Sequence, residues 1–287
     1  MIEREWNGCY DESWKSVATE ESTVHPAKFA RGLIRRIYQH LRDHYQLPPG
    51  SIVVDPFGGV ANGALDAMEM GYAWIGCELE ERFVEIGRKN IAHWKRFWPD
   101  AQAELVQGDS RELCSVLGPV LAGVVVSSPP FAGEQRGGGI AANNGIDGNV
   151  RTGVNCGYQN QASSDGNLAK EEGETFWQAS AQILAQCYAI LKPGGIAVFV
   201  TKDFVRKGQR VTFSEDWLKL CTHTGFEPVE WIKASLVKQD RHPGLFGEEV
   251  VKQTERKSFF RRLAEKKGSP RIDHEDLLIV RKPHHPI

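Results

Sequence analysis

The sequence predicts an α/β domain built on a mostly parallel sheet with helices on both faces. Short apolar runs alternate with amphipathic helical patterns from about residue 51 to residue 201. The runs are continuous in Val, Ile and Ala, as in strands buried on both faces. Acidic or Ser-Pro-rich turns follow them, at the strand ends where such sheets bind ligands. The length, 287 residues, allows one large α/β domain or two modest ones. Hydrophobic residues at 41% and charged residues at 25% give a globular balance. Lys+Arg 35 against Asp+Glu 37 leaves a net charge of −2. That excludes a uniformly basic coat, so a polyanion must meet a local basic patch. No apolar run approaches a membrane span, and the start MIEREWNGCYDESW does not read as a signal peptide. Six cysteines are scattered without a CxxC pair. That argues against a metal knuckle or a disulfide framework and suits a reducing cytoplasm, the expected location.

Residues 1–24 are polar and mixed, and read as a loosely ordered arm. A helical pattern runs from Pro26 to about Tyr45, with Phe29, Leu33, Ile34, Ile37 and Leu41 at three- and four-residue spacing. Strands are expected at Ile52–Asp55, Tyr72–Cys77, Ala103–Val106, Leu121–Ser127 and Ile196–Thr201. Helices are expected at Ala61–Met70, Glu81–Phe97 and Phe176–Leu191, the last closed by LKPGG. Two stretches break the rhythm. Residues 132–175, rich in Gly, Asn, Gln and Ser, read as a functional loop or a tolerated surface insertion. Residues 252–267 read as a basic helical segment with Phe259 and Phe260 inside it, either a solvated face or a phosphate contact. The organisation expected is therefore an arm over 1–24 and a single domain over 25–283.

Three acids stand at the carboxyl ends of successive strands. Asp55 precedes a Gly-rich turn, Gly58 and Gly59, which is not a GxGxxG phosphate cradle. An acid there repels a pyrophosphate and attracts a cation or amino group. Glu78 follows 23 residues later, the spacing at which an acid grips ribose hydroxyls, though it also suits a helix start. Asp109 in QGDS could accept from an adenine amino group or cap the turn that follows. The sharpest feature is VVVSSPPFAG over 124–133. Two prolines cannot continue a central strand, so they end it in a stiff turn. The Ser128 hydroxyl and Pro129 carbonyl offer acceptors, Pro130 stiffens the turn and Phe131 offers a flat face. This suits a planar ring carrying an amino group; alone, the pair of prolines would be only a rigid turn.

DPFGG, ELEERFVEIGRKNI, SPPF and LKPGGIAVFVTKDF, in this order, resemble the S-adenosylmethionine-dependent amino-methyltransferases of DNA over roughly residues 22–283. The resemblance implies a Rossmann-like sheet of seven strands, mostly parallel, with one reversed strand near the C-terminus, for which HEDLLIVRK (274–282) is suited. It implies S-adenosylmethionine as cofactor. Asp55, Phe57, Gly58 and Gly59 would cradle its methionine end. Glu78 would hold the ribose, Leu79 would pack on the adenine, and Asp109 with Ser110 would meet the adenine amino group. Pro26, Ala27, Lys28 and Phe29 would close the methionine side, although the family often has Lys-Pro where this chain has His25-Pro26. Ser128, Pro129, Pro130 and Phe131 would hold a base swung out of the duplex. DNA is then the partner, met by Arg256, Lys257, Arg261 and Arg262. A homodimer and a cognate restriction nuclease are further partners such a family allows.

Ser in the first place of SPPF is commoner among cytosine-N4 enzymes of that family, so cytosine N4 is expected ahead of adenine N6. Cytosine C5 chemistry would need a nucleophilic cysteine at this strand end, and none is there. Methylation of RNA on the same scaffold, and a catalytically idle DNA-binding scaffold, are the competing readings. A nicotinamide oxidoreductase is disfavoured by the missing GxGxxG.

Overall fold

The computed structural model describes residues 1–15, 17–24, 29–130, 168, 173–243, 249–256 and 259–284. In chain order the elements begin with β1 (Ile2–Trp6), α1 (Arg31–Tyr45), β2 (Ile52–Asp55), α2 (Asn62–Glu69), β3 (Ala73–Glu78) and α3 (Glu81–Trp94). Then come β4 (Ala103–Gln107), α4 (Leu113–Leu117), β5 (Ala122–Ser127), α5 (Gly173–Ile190) and β6 (Leu191–Thr201). The last part holds β7 (Phe204–Arg206), β8 (Gln209–Val211), α6 (Phe213–His223), β9 (Glu227–Ser235), β10 (Val237–Pro243), β11 (Glu249–Glu255), α7 (Phe259–Lys266) and β12 (His274–Arg281).

Eight strands form one sheet in the order β1-β9-β12-β6-β5-β2-β3-β4. All neighbours run parallel except the two pairs made by β12, which opposes β6 and β9. From β2 the chain moves outward through β3 and β4, then returns to the other side of β2 as β5 and β6. The strand order therefore reverses between β2 and β5. Crevices form at such reversals, beyond the carboxyl ends of the strands.

Apolar side chains cover both faces. On one, Leu33, Ile34, Ile37 and Tyr38 of α1 pack with Trp74, Val53 and Val124. On the other, Phe176, Ile183 and Leu184 of α5 and Trp217 of α6 pack on Val54, Val125 and Phe199. Helix α1 also steadies the start of α2, because the Tyr38 hydroxyl donates to the Gly63 carbonyl at 2.8 Å. Arg35 Nε donates to the buried Asp66 at 2.8 Å.

The sheet has eight strands among the described residues, not seven. The reversed strand is β12, where it was expected, and β1 is the addition. The first residues are thus not a loose arm. Arg4 donates to the buried Glu230 of β9 at 3.2 Å, and the Trp6 ring lies edge-on to His40 at 5.2 Å. Further along, Thr19 and Ser22 hydrogen-bond to the Asn90 side chain of α3. Four of the five β1 residues are exposed, so the strand carries no apolar alternation to reveal it. Charge on an edge strand instead discourages pairing with other chains. Trp6→Ala should destabilise the fold by roughly 3–5 kcal/mol, as for other buried tryptophans. A urea melt reads this directly; a loose arm would leave the midpoint unchanged.

Other boundaries also moved. Helix α1 starts at Arg31, and 25–28 lie outside the described residues. The basic segment is not one helix: 252–255 belong to β11, paired with β10 in a hairpin, and only Phe259–Lys266 is helical. Residues 250–256 are exposed on both ribbon faces, so no apolar period marks the strand. Of residues 132–175, only Leu168 and the start of α5 are described. No described helix is long and apolar enough to cross a membrane.

Candidate active site

Asp55 ends β2 and is buried. Its Oδ1 accepts from the Phe57 amide at 3.0 Å and from the Ser127 hydroxyl at 2.5 Å. Ser127 ends β5, so this bond spans the reversal of strand order and ties the two rims together. Burial pushes the Asp55 carboxyl up to about 6, against the pull of both hydrogen bonds. Ser127 was not singled out in the sequence. Adjacent strand residues face opposite ways, and only the β2–β5 pairing decides which serine meets Asp55.

The turn after Asp55 is pressed onto β3. The Gly58 amide donates to the Cys77 carbonyl at 2.8 Å. A Cβ on Gly58 would lie 2.6 Å from Leu105 Cδ1 and 3.2 Å from the Gly76 Cα, so a side chain there would force Leu105 to shift. Gly59 has φ +52° and donates its amide to Glu78 Oε2 at 2.9 Å. Glu78 ends β3, and its other oxygen accepts from the Glu80 amide at 3.0 Å. Burial pushes Glu78 up to about 7, those two amides opposing and the charges of Glu80 and Asp55 adding. Phe57 and Leu79 are half-buried beside these acids.

Asp109 caps the turn that follows β4. It accepts from the Arg111 amide at 2.9 Å and from the Arg111 guanidinium through both oxygens. Burial pushes its carboxyl up, but Arg111 outweighs that and holds it below the usual range. An adenine amino group would have to share these acceptor sites with the arginine. The neighbouring Ser110 is buried, and its hydroxyl donates to the Pro56 carbonyl, fastening the third rim turn to the first.

Beyond Ser127, the Ser128 hydroxyl donates to the Val200 carbonyl of β6 at 3.0 Å. A hydroxyl has one proton and two lone pairs, so this donation leaves its oxygen as an acceptor. Pro129 is buried and Pro130 half-buried, while Phe131 lies outside the described residues. So do Pro26, Ala27, Lys28 and Lys257; Phe29 is half-buried, and its carbonyl accepts from Trp14 Nε1 at 2.6 Å. Arg256 is exposed at the end of the β10–β11 hairpin, its guanidinium 5.0 Å from the Tyr10 ring centroid. Arg261 and Arg262 belong to α7, and Arg262 is exposed.

Sequence reasoning also passed over Asn62, the first residue of α2. It is buried, and both polar atoms of its side chain lack a partner among the described residues. An orphaned amide at the start of α2, just beyond the turn after Asp55, costs about 1–3 kcal/mol unless a ligand meets it. One buried acid, Asp55, one half-buried acid, Glu78, both with raised proton affinity, and one orphaned amide fit a ligand rich in hydroxyl and ammonium donors. S-adenosylmethionine has both, in its ribose and its methionine end. No group of His, Cys, Asp and Glu suited to a metal ion occurs among the described residues.

Residues 2–89 match the model of a family described as DNA methylase, N6_N4_Mtase. The match supports the resemblance to the N4/N6 DNA amino-methyltransferases, with S-adenosylmethionine as cofactor. No curated protein matches the chain. Among solved structures, the cyclase SpnF is similar with a TM-score of 0.51 at 13% identity, over 91% of this chain and 85% of that one. At that identity the likeness shows the fold. TrmN from Thermus thermophilus gives 0.49 at 15% identity, over 92% of this chain and 52% of its own, so the chain spans about half of TrmN. Magnesium protoporphyrin IX methyltransferase (ChlM) from Synechocystis PCC 6803 gives 0.46 at 10% identity, over 88% and 83%.

Proposed function

We propose that the chain transfers a methyl group from S-adenosylmethionine to the exocyclic amine of a base in DNA, with cytosine N4 ahead of adenine N6. The observation that carries this is the Ser127–Asp55 hydrogen bond, which sets the Ser-Ser-Pro-Pro turn beside the carboxyl end of β2. Asp55, Phe57, Gly58, Gly59 and Asn62 would hold the methionine end. Glu78 and Leu79 would hold the ribose and adenine, with Asp109 and Ser110 at the far side and residues 26–29 closing the near one. The cofactor, when bound, supplies an electrophilic sulfonium methyl.

The chain's own part is to make the amine nucleophilic and to place it. An exocyclic amine is weak because its lone pair is delocalised into the ring. The Ser128 oxygen and the Pro129 carbonyl accept its two N–H bonds and favour a pyramidal nitrogen. Acceptors fixed where positive charge develops stabilise the transition state. The stiff turn supplies the positioning, and Phe131 would stack on the flipped base. No strong base is needed, since the methylated ammonium is acidic enough to lose its proton to solvent.

A substrate panel of duplex DNA, tRNA and rRNA, with a radiolabelled methyl donor, tests this. Label should enter DNA and not RNA; label in RNA alone overturns the DNA assignment. Arg261 and Arg262 of α7 would contact phosphates. Replacing both with Ala should weaken binding on every DNA sequence and lower the salt slope by about 1.8.

A further inference from the structure

Charge at the carboxyl rim is concentrated in a short segment that the cofactor and base pockets do not use. Residues 202–210 read KDFVRKGQR, four cations against one acid, in a chain of net charge −2. The segment folds into the β7–β8 hairpin, in which Phe204 pairs with Val211 and Arg206 with Gln209. Residues 206–210 are all exposed. We propose that this hairpin is a phosphodiester-binding finger that grips the DNA strand carrying the target base. The proposal rests on the reading of the chain as a DNA amino-methyltransferase.

Its place in the sheet is the first argument. β5 and β6 are parallel neighbours with Ser127 opposite Phe199, and Ser128 donates to the Val200 carbonyl. The hairpin begins at Phe204, four residues beyond that carbonyl. Four residues span at most about 14 Å, so the finger is rooted within a few nucleotide lengths of the amine-binding turn. A strand whose base is held at Ser128 must pass its neighbouring phosphates over this rim.

Rigidity is the second argument. Asp203 accepts from the Ser214 amide at 3.1 Å and from Arg210 Nε at 2.7 Å, locking both legs to the start of α6. The Phe204 ring packs on Phe213, and the Arg206 guanidinium lies 5.6 Å over Phe204. These contacts brace the hairpin, so little chain entropy is lost on binding.

The turn itself is the third. Lys207 and Gly208 both have positive φ, 50° and 79°, the two-residue connection that suits a twisted hairpin. Asn, Asp or Gly normally fills the first place. A lysine there keeps a cation at the outermost point despite an unfavourable backbone conformation. Phosphate contacts of this kind hold register without reading sequence.

The test uses the full chain with Lys207→Gly, and with Arg206→Gln added. Affinity for labelled duplexes of several sequences is measured by fluorescence anisotropy from 50 to 200 mM salt, alongside cofactor affinity by calorimetry and a thermal melt. Lys207→Gly should lower the salt slope by about 0.9 and weaken binding about eightfold at 0.1 M salt on every sequence. The double variant should lower the slope by about 1.8. Cofactor affinity should stay the same, and the melting temperature should hold or rise, since glycine relieves the turn. Wild-type affinity and slope in both variants would overturn the finger while leaving DNA methylation by the wild type intact. Weaker DNA binding that comes with a lower melting temperature and lost cofactor binding would overturn it too, because the hairpin would then be supporting the fold. A wild type that binds RNA but no duplex DNA would remove the finger together with the DNA assignment.

Discussion

Asp55→Asn should abolish S-adenosylmethionine binding and yet stabilise the cofactor-free protein at pH 8. Asp55 is buried, and its carboxyl rises from 3.8 to about 6 on burial. The fold therefore favours the protonated form. That stabilising contribution is complete below the unfolded value near 3.8 and is lost as pH rises through about 6. At pH 8 the ionised carboxylate costs up to about 3 kcal/mol relative to the unfolded chain. Asparagine keeps an Oδ1 that can accept from Ser127 and Phe57, and it removes the charge. The gain should appear at pH 8 and vanish near pH 4, where the wild-type group is already neutral. Cofactor binding has the opposite sign, because its donors need ionised acceptors. The cofactor-induced rise in melting temperature should grow from pH 5 to pH 8, since Glu78 is also pushed up, to about 7. Differential scanning fluorimetry across pH, with and without cofactor, reads both effects. An Asp55→Asn variant that melts lower at pH 8, or that still binds cofactor, would refute the assignment.

Ser128→Ala should lower methyl transfer by about 10²–10³-fold with cofactor affinity unchanged. The magnitude is that of removing one oriented hydrogen-bonding group from a transition state. The Ser128 hydroxyl is already committed as a donor to Val200, so its oxygen can only accept from a substrate amine. Ser127→Ala should behave differently. It removes a bond that lowers the Asp55 proton affinity, so the pH at which cofactor binding sets in should move upward. Single-turnover kinetics and cofactor titration on the two variants separate the roles. Equal loss of cofactor affinity in both would mean that the turn merely supports β2.

Much of this site was legible because its residues sit where periodicity stops. Asp55, Glu78 and Asp109 follow apolar runs, and the prolines after Ser128 end a strand by removing amide donors. What was hidden depends on pairing across the sheet. The choice between Ser127 and Ser128 needs the β2–β5 register. The capping of the Arg111 amide by Asp109 is local, but an acid at a strand end and an acid capping a turn look alike in a sequence. β1 and the two hairpins escaped for another reason. Exposed strands are stabilised by backbone pairing and need no apolar face, so IEREW and KQTE carry no alternation. Asn62 resembles any polar residue near a helix start, and only its burial without a partner marks it.

The chemistry itself is read by expressing the chain with a plasmid in a host that lacks endogenous methylation of DNA bases, then digesting the DNA to nucleosides for mass spectrometry. N4-methyl-deoxycytidine should appear with the wild type and be lost with Ser128→Ala. N6-methyl-deoxyadenosine alone would keep the amine-binding rim and replace the base. 5-Methyl-deoxycytidine, or no methylated nucleoside from an active, cofactor-binding preparation, would contradict a rim built to hold a base by its amino hydrogens.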